Sequence, residues 1–350
     1  MVIILFIVVI LVTVLVHEWG HFIIARKSGM IVEEFGFGIP PRIYAWKKGE
    51  TTYSINALPI GGFVKIAGEN GVETTVPLNK QFETKPWYLK SAVLVAGVAC
   101  NLILAVILFT TAYTVGIPVA GDHGTPTVVS IVSGSPSSKS DIGIGDIVTG
   151  VTTDKGVLKD VISTTSLHEA IMKSAGPLTI DYTHLGKAHT ATITPTGSGI
   201  ARVIGIAIEP VQAERLPFFT ALKAALQQTW MTMGEIFTTL ESLIAGLFHH
   251  NNTGSALVGP VGLAQEIGSA ASIGFTYLLA FTAAISVNLA VINILPFPAL
   301  DGGRLVVVLL EAIFRRKFSS NTVAIIHAIG FLLLLLLMVV LTVGDIRRLL

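Results

Sequence analysis

The sequence predicts an α-helical polytopic membrane protein with four transmembrane helices, a membrane-associated β region after the first helix and an inserted β-rich domain. Apolar residues make up 52% of the 350-residue chain and charged residues only 13%, a balance typical of several membrane spans joined to one modest aqueous domain. Two histidines and a glutamate interrupt the first apolar stretch, and a proline-containing break with an aspartate follows the third. Both interruptions indicate chemistry at membrane depth.

Four apolar stretches are long enough to cross about 30 Å of hydrocarbon. They cover about residues 3–26, 91–118, 274–297 and 322–343. The first stretch has neither a preceding basic segment nor a following small-residue cleavage site, so we interpret it as a retained span and not as a signal peptide. The expected domains are the first half of a membrane core (1–120), an extracytoplasmic β-rich domain (121–212), a linker with an interfacial helix (213–273) and the second half of the core (274–350).

Basic residues indicate how the spans are oriented. Nine lysines and arginines lie between the first two spans, and Arg315, Arg316 and Lys317 lie between the last two. Positive charge favours the cytoplasmic side, so both loops are expected there and both termini outside. Arg347 and Arg348 oppose this assignment, but two charges weigh less than twelve.

The segments between the spans have two compositions. Residues 31–68 are rich in glycine, aromatic and β-branched residues, which predicts short strands, in hairpins, against the cytoplasmic face of the bilayer. From about residue 121 to 212 the charge density rises and turn residues separate short apolar runs. The strand candidates there are 127–132, 146–152, 178–183 and 190–194, with one helix near 166–174.

Residues 217–248 have an amphipathic helical pattern that fits either a fifth span or a helix at the membrane interface. A crossing there would reverse the direction of the next span and move residues 293–301 to the opposite side from the histidines. We therefore interpret this segment as an interfacial helix.

A metal-binding pattern lies within the first span. His17 and His21 are four residues apart and share one helical face, a spacing that lets both imidazoles reach one Zn²⁺ with Glu18 beside it. Polar side chains are costly in a membrane and usually serve a function there. A polar cluster that packs helices together, or a proton relay, is the alternative.

A catalytic zinc site takes three protein ligands and keeps one open position, so two histidines need a partner from elsewhere. Asp301 is the best candidate, because Pro296 and Pro298 break the apolar run before it and Gly302 and Gly303 allow close backbone approach after it. Irregular backbone at membrane depth is tolerated where it is buried in protein or lines a wet cavity. The alternative role for Asp301 is a turn or helix boundary.

Several motifs together resemble a known family. Residues 17–21 (HEWGH) and 293–303 (NILPFPALDGG) are similar to the motifs of the site-2 protease family of intramembrane zinc metalloproteases, close to its bacterial sigma-E regulating branch. Residues 61–65 (GGFVK) resemble its membrane-associated β segment, and residues 97–101 (GVACN) its second-helix motif. Residues 129–136 with 144–148 look like part of a PDZ domain, and there is room for one such domain where close enterobacterial relatives have two.

The resemblance implies a zinc endopeptidase in the bacterial inner membrane that cuts transmembrane segments of single-span proteins, such as anti-sigma factors or remnant signal peptides. It implies Zn²⁺ held by His17, His21 and Asp301, with Glu18 as the general base for water. The active site is expected toward the cytoplasmic side, and the PDZ-like domain is expected to contact a substrate or a peptide C-terminus, or else to have only a stabilising role.

Further residues are candidates for substrate binding. Asn293 and Asn101 would hydrogen-bond a substrate backbone or an oxyanion, or else join neighbouring helices. Gly61 and Gly62 belong to the β segment, whose exposed edge would pair with an extended peptide.

Two other functions fit the same architecture. An inactive membrane scaffold would present its PDZ-like domain to partners, and an ion or proton transporter would use the same intramembrane charges, although four spans without repeated halves suit alternating access poorly. The net charge of +1 gives no sign of nucleic acid as a partner. The single cysteine, Cys100, excludes an internal disulfide.

Overall fold

Groups of strands separate the first four helices, and the chain ends in consecutive helices, in the computed structural model. The structure describes residues 2–69, 75–132, 134–158, 163–174, 176–184, 186–197, 203–249 and 258–349. The helices are α1 (Val2–Lys27), α2 (Trp87–Val115), α3 (Thr164–Lys173), α4 (Phe218–His249), α5 (Pro260–Ile273), α6 (Phe275–Ile294), α7 (Asp301–Phe314) and α8 (Ser320–Leu349). The strands are β1 (Val32–Lys48), β2 (Thr51–Ile66), β3 (Ile117–Ile131), β4 (Ile147–Thr153), β5 (Gly156–Leu158), β6 (Leu178–His184), β7 (Lys187–Ile193) and β8 (Ile206–Glu214).

Four helices of the described chain, α1, α2, α6 and α8, are long and apolar enough to cross a membrane. This confirms the prediction of a polytopic membrane protein with four candidate spans. The amphipathic segment near 217–248 is the continuous helix α4, which is not among those four. Its placement at the interface stays a prediction.

The chain divides into two compact units. The first contains residues 1–109, 222–265 and 282–350, and the second contains residues 110–221 and 266–281. The paired histidines and Asp301 belong to the first unit, so the spatial relationships that matter for the candidate site lie within it.

The β region after α1 differs from the predicted short strands, because it consists of two long, bent strands, β1 and β2. Residues 42–48 pair antiparallel with 51–56 and residues 32–37 antiparallel with 62–66, whereas residues 34–37 run parallel to 52–55. Their register divides them into four laterally paired segments in the order 42–48, 51–56, 32–37 and 62–66, since residues 34–37 pair both with 52–55 and with residues near 62–65. Gly61 has a φ of +84°, a conformation that suits glycine, and allows β2 to bend before its last segment. Residues 62–66 therefore form an edge of this sheet, and no other described strand pairs with them.

An apolar cluster fixes this sheet against three helices of the first unit. Phe22 and Ala25 of α1 are buried together with residues from both ends of the sheet and from α2 and α7. The other buried members of the cluster are Met30, Val32, Ile66, Phe82, Val93, Leu94 and Val308. Helices α1 and α2 also approach closely at Gly20, where a Cβ atom would lie 2.5 Å from the Ala96 carbonyl oxygen. The sheet edge and the histidine face of α1 are thus held on one packed core.

The second unit is β-rich, as the composition of residues 121–212 indicates. Its strands form one sheet in the order β7-β6-β4-β3-β8, with β5 paired to β4 and α3 covering a core that includes Leu167, Ile180 and Ile208. Strands β5 and β8 were not among the predicted ones, and β3 begins well before residue 127. Ser133, within the PDZ-like motif, lies outside the described residues.

The predicted linker contains a second helix that sequence reasoning missed, α5, while residues 250–257 lie outside the described residues. Asp345 of α8 is buried and accepts hydrogen bonds from the Gly259 and Gly262 amides at the start of α5, at 3.2 and 2.8 Å. A carboxylate at this position satisfies free N–H groups of a helix N-terminus. The first residues of α5 therefore lie against the C-terminal end of α8.

Candidate metal centre

The two histidines of α1 lie side by side and are almost completely buried. His17 and His21 are 5% and 7% exposed, and their Nε2 atoms are 3.1 Å apart. One helical turn separates the residues, so both rings extend from the same face of α1. Both Nε2 atoms therefore point to one common location.

Asp301 reaches that location from a break between two helices. Helix α6 ends at Ile294 and α7 begins at Asp301, and Ala299 between them has a φ of +80°. A Cβ atom at Gly302 would lie 2.2 Å from the Ile294 carbonyl oxygen, so the turn can fold this tightly only with glycine there. The predicted role of the glycines, close backbone approach, matches this geometry.

His327 of α8 holds the same turn from the other side. Its Nδ1 atom accepts the Ala299 N–H at 2.9 Å, and Gly330 allows α8 to approach the Pro298 carbonyl, 2.4 Å from where a Cβ atom would be. Sequence reasoning gave His327 only a helix-packing role, although a histidine within an apolar span is itself an indication of function. The turn before Asp301 is thus fixed by two residues of the last span.

Three potential ligand atoms converge. Asp301 Oδ2 lies 3.0 Å from His17 Nε2 and 3.1 Å from His21 Nε2, and together with the 3.1 Å between the histidines this makes a nearly equilateral triangle. Tetrahedral zinc with ligands at about 2.0–2.1 Å separates its ligand atoms by about 3.3 Å. The triangle has the size that one zinc ion requires.

The hydrogen bonding of His21 shows that the three residues suit a cation. Its Nδ1 atom lies 2.8 Å from the Val93 carbonyl oxygen, so Nδ1 must carry the proton that this acceptor receives. In the neutral ring Nε2 then has a lone pair, and this lone pair faces the Asp301 carboxylate at 3.1 Å. Two acceptors in such proximity are stabilised by a cation shared between them, so the donor set fits a metal.

Asn101, predicted to contact substrate or join helices, lies behind His17. Its side-chain amide is fully buried with Nδ2 3.5 Å from His17 Nδ1, while Oδ1 has no hydrogen-bond partner among the described residues. An amide rotated by 180° would place Oδ1 to accept the Nδ1–H of His17, and the two orientations are distinguished by the hydrogen bonds they satisfy. Its main-chain oxygen also accepts a hydrogen bond from Ser286 Oγ of α6 at 2.9 Å.

Gly97 of α2 gives the imidazoles the room they occupy. A Cβ atom there would lie 2.5 Å from His21 Nε2 and 2.7 Å from His17 Cε1. No side chain larger than hydrogen fits without moving the ligand atoms. Helix α2 therefore contributes the carbonyl of Val93, the amide of Asn101 and this clearance, all at the same point on α1.

A cavity of about 300 Å³ opens onto the metal centre. Its lining includes Glu18, Asn293 and, from the edge of the β sheet, Phe63, Val64 and Ile66. The other lining residues are Val14, His17, His21, Glu69, Val93, Leu94, Leu289, Ala299, Leu300, Asp301 and Arg304. Asn293 thus meets this cavity and Asn101 does not.

The two predicted β-segment glycines differ in their surroundings. A Cβ atom at Gly62 would be 3.5 Å from Glu18 Cγ, whereas one at Gly61 would meet no atom within 4 Å. Gly62 therefore lies beside the carboxylate side chain, and Gly61 lies at the bend that precedes the edge segment.

Sequence reasoning missed an ion pair in the cavity wall. Arg304 Nη1 lies 2.8 Å from Glu69 Oε1, and both residues also line a second cavity of about 390 Å³. Burial raises the pKa of the Glu69 carboxyl, and the Arg304 charge opposes that shift. Arg304, three residues after Asp301 in an apolar helix, was a detectable signal, but no pattern marked Glu69.

Comparisons with known proteins identify a family and several relatives. The model of peptidase family M50 matches residues 5–337. A protein of Clostridium perfringens whose name describes a zinc metalloprotease is 32% identical over 336 residues, covering 95% of both chains. The zinc metalloprotease RasP of Geobacillus kaustophilus is 28% identical over 429 aligned positions, covering 99% of this chain and 98% of its own.

Proposed function

Because the chain belongs to peptidase family M50, the site-2 protease family, we propose that it is a zinc-dependent intramembrane endopeptidase that cuts transmembrane segments of single-span membrane proteins. One observation carries this proposal: three ligand atoms from α1 and α7 form a triangle with sides of 3.0–3.1 Å, with one ring nitrogen already oriented as a lone-pair donor. The triangle leaves one face open to the cavity that Glu18 lines.

The residues of the chain divide the work of peptide hydrolysis. His17, His21 and Asp301 would hold Zn²⁺, which supplies a Lewis acid that polarises the scissile carbonyl and acidifies water. Glu18 takes a proton from the water whose oxygen attacks the carbonyl carbon. The same carboxyl then gives that proton to the amide nitrogen as the carbon–nitrogen bond breaks.

Substrate presentation is assigned to the edge segment 62–66. A transmembrane helix satisfies its own amides, so the scissile region must become extended before its carbonyl can be attacked. An extended peptide can pair with an unpaired strand edge through main-chain hydrogen bonds. Phe63, Val64 and Ile66 bring this edge to the cavity, and Gly62 leaves space beside Glu18.

We assign the protein to the bacterial cytoplasmic membrane, with both termini and the β-rich domain outside and the metal centre toward the cytoplasmic side. The charge distribution of the loops supports this topology. Substrates of the anti-sigma factor or remnant signal peptide type have the short single span that the site requires. The β-rich domain is proposed to be PDZ-like and to contact the substrate or a peptide C-terminus outside the membrane.

The test uses the purified full chain in lipid vesicles with a tagged reporter, a single-span polypeptide of about 20 leucines and alanines interrupted by one Asn-Gly pair. Glu18→Gln is expected to retain zinc and to lose cleavage, because glutamine cannot accept the proton. Thr13→Val is the matched control five residues earlier on α1, since among the described residues the Thr13 hydroxyl bonds only to the Val9 and Ile10 carbonyls of its own helix. Equal cleavage by Glu18→Gln and the unaltered chain would overturn the proposal, and no cleavage by either would favour an inactive scaffold.

A further inference from the structure

The Glu69–Arg304 ion pair joins two elements that the proposed reaction must keep in register. Glu69 follows the end of β2 by three residues, and β2 ends with the edge segment 62–66. Arg304 lies one helical turn after Asp301 at the start of α7. The pair therefore links the strand edge to the helix that carries the acidic ligand.

The pair is close, and its acidic partner is shielded from water. Nη1 of Arg304 lies 2.8 Å from Oε1 of Glu69; the Glu69 side chain is 13% exposed and the Arg304 side chain is 35% exposed. Nε of Arg304 is buried and has no hydrogen-bond partner in the part of the chain that the structure describes. Removing Arg304 would leave the shielded Glu69 carboxylate poorly compensated, which favours maintenance of the contact once it has formed.

Main-chain hydrogen bonds hold the C-terminal end of the same strand. The Ala67 N–H donates to the Ile31 carbonyl at 2.9 Å, and the Phe82 N–H donates to the Ala67 carbonyl at 2.8 Å. These bonds fix Ala67 to the segments around it but make no contact with α7. The ion pair at Glu69 is thus a polar side-chain contact that ties this end of the strand to α7.

We propose that Glu69 and Arg304 are positioning residues that set which peptide bond of an extended substrate faces the metal centre. This inference depends on the proposed protease function and on strand pairing at segment 62–66. Consecutive residues of a strand are about 3.3 Å apart and face opposite sides, so a displacement of a few ångströms presents a neighbouring bond. The apolar cluster that includes Ile66 and Val308 also holds the edge to α7, but apolar packing is non-directional. Without the ion pair, the edge can therefore shift relative to Asp301 and the cleavage position loses its uniqueness.

Mass spectrometry of the products from the vesicle assay tests this directly, because it reads the position of the cut as well as the rate. The variants are Glu69→Gln, Arg304→Gln and the charge-exchanged Glu69→Arg/Arg304→Glu, each with its zinc content measured. Lys80→Gln is the matched control, since Lys80 forms an exposed ion pair with Glu50, 3.1 Å between Nζ and Oε1, outside both cavities.

The expected result is one product pair for the unaltered chain and for Lys80→Gln, and products from adjacent bonds for the two single variants. At the original bond kcat is expected to fall roughly 10- to 100-fold with KM nearly unchanged, because the strand edge still pairs but misplaces the carbonyl. The charge-exchanged variant is expected to restore the single cut, and all variants to retain zinc.

Other outcomes overturn the inference. A single unshifted cut in both single variants, loss of their zinc, or no restoration in the charge-exchanged variant would each show that the pair does not set the register. Failure of the unaltered chain to cut the reporter at all is a different result, since it removes the proposed function itself.

Discussion

The main-chain carbonyl oxygen of Val93 lies 2.8 Å from Nδ1 of His21 and thereby fixes which nitrogen of that ring is free for a metal. A backbone acceptor cannot be lost by mutation of its side chain, so this half of the donor set is determined by the fold of α2. The other histidine, His17, has the side chain of Asn101 next to its own Nδ1 atom. One helix thus orients both rings, and side-chain variants can test the arrangement at His17.

Asp301→Ala is expected to lower the zinc content of the purified protein well below one ion per chain. Two imidazoles remain, and a two-ligand site binds zinc far more weakly than the three-ligand site that Asp301 Oδ2 completes. Metal analysis after dialysis against a weak chelator is the measurement. Asp141→Ala, at an exposed position of the β-rich unit, serves as the control, and undiminished zinc in Asp301→Ala would show that this carboxylate is not a ligand.

Asn101→Leu is expected to weaken zinc binding about 10- to 100-fold, the range typical when a partner of a metal-bound histidine is removed. Leucine has a similar volume but cannot accept the Nδ1–H of His17. Asn101→Asp should retain much of the affinity, because a carboxylate oxygen can accept that proton. Competition with a chelator gives the affinities, and equal values for the unaltered chain and Asn101→Leu would exclude the orienting role.

Gly97→Ala is expected to disrupt the metal centre without any change in the ligands themselves. The added methyl group would lie 2.5 Å from His21 Nε2, so the imidazoles must move or α1 and α2 must separate. Zinc content and reporter cleavage should both fall. Gly234→Ala in α4, where an added Cβ meets no atom within 4 Å, is the matched control. Full zinc occupancy in Gly97→Ala would show that the helices adjust.

The amino-acid sequence predicts those parts of the site that depend on a single helix or a single turn. The four-residue spacing of His17 and His21 indicates a shared face, and the residues around Asp301 indicate a break in a span. The contribution of α2 is harder to predict, because Val93 acts through its carbonyl and Gly97 through the side chain it lacks. Val93 leaves no chemical signature in a single sequence, and Gly97 was marked only by the resemblance of residues 97–101 to a family motif. The roles of both residues follow from how closely α1 and α2 pack.

The structure of the β region was likewise only partly predictable from the sequence. Composition indicates strands in residues 31–68, but the division of β1 and β2 into four laterally paired segments depends on bends and register that local propensity does not specify. Glu69 was missed for a related reason, since its partner Arg304 lies 235 positions away. An isolated glutamate after a strand is ordinarily a solvated residue, and the contact that distinguishes it is tertiary.

His327→Leu is expected to reduce activity by loosening the turn that presents Asp301. The substitution leaves the Ala299 N–H without the acceptor it now has at 2.9 Å, and an unsatisfied amide in this partly buried turn costs about 1–3 kcal/mol. His327→Asn should retain more activity, because the amide oxygen of asparagine can occupy nearly the same position as Nδ1. Ile326→Leu, an exposed neighbour on α8, is the control for general effects on the span. Zinc affinity and reporter cleavage should fall together in His327→Leu and recover together in His327→Asn, and wild-type values in His327→Leu would show that the turn keeps Asp301 in place without this contact.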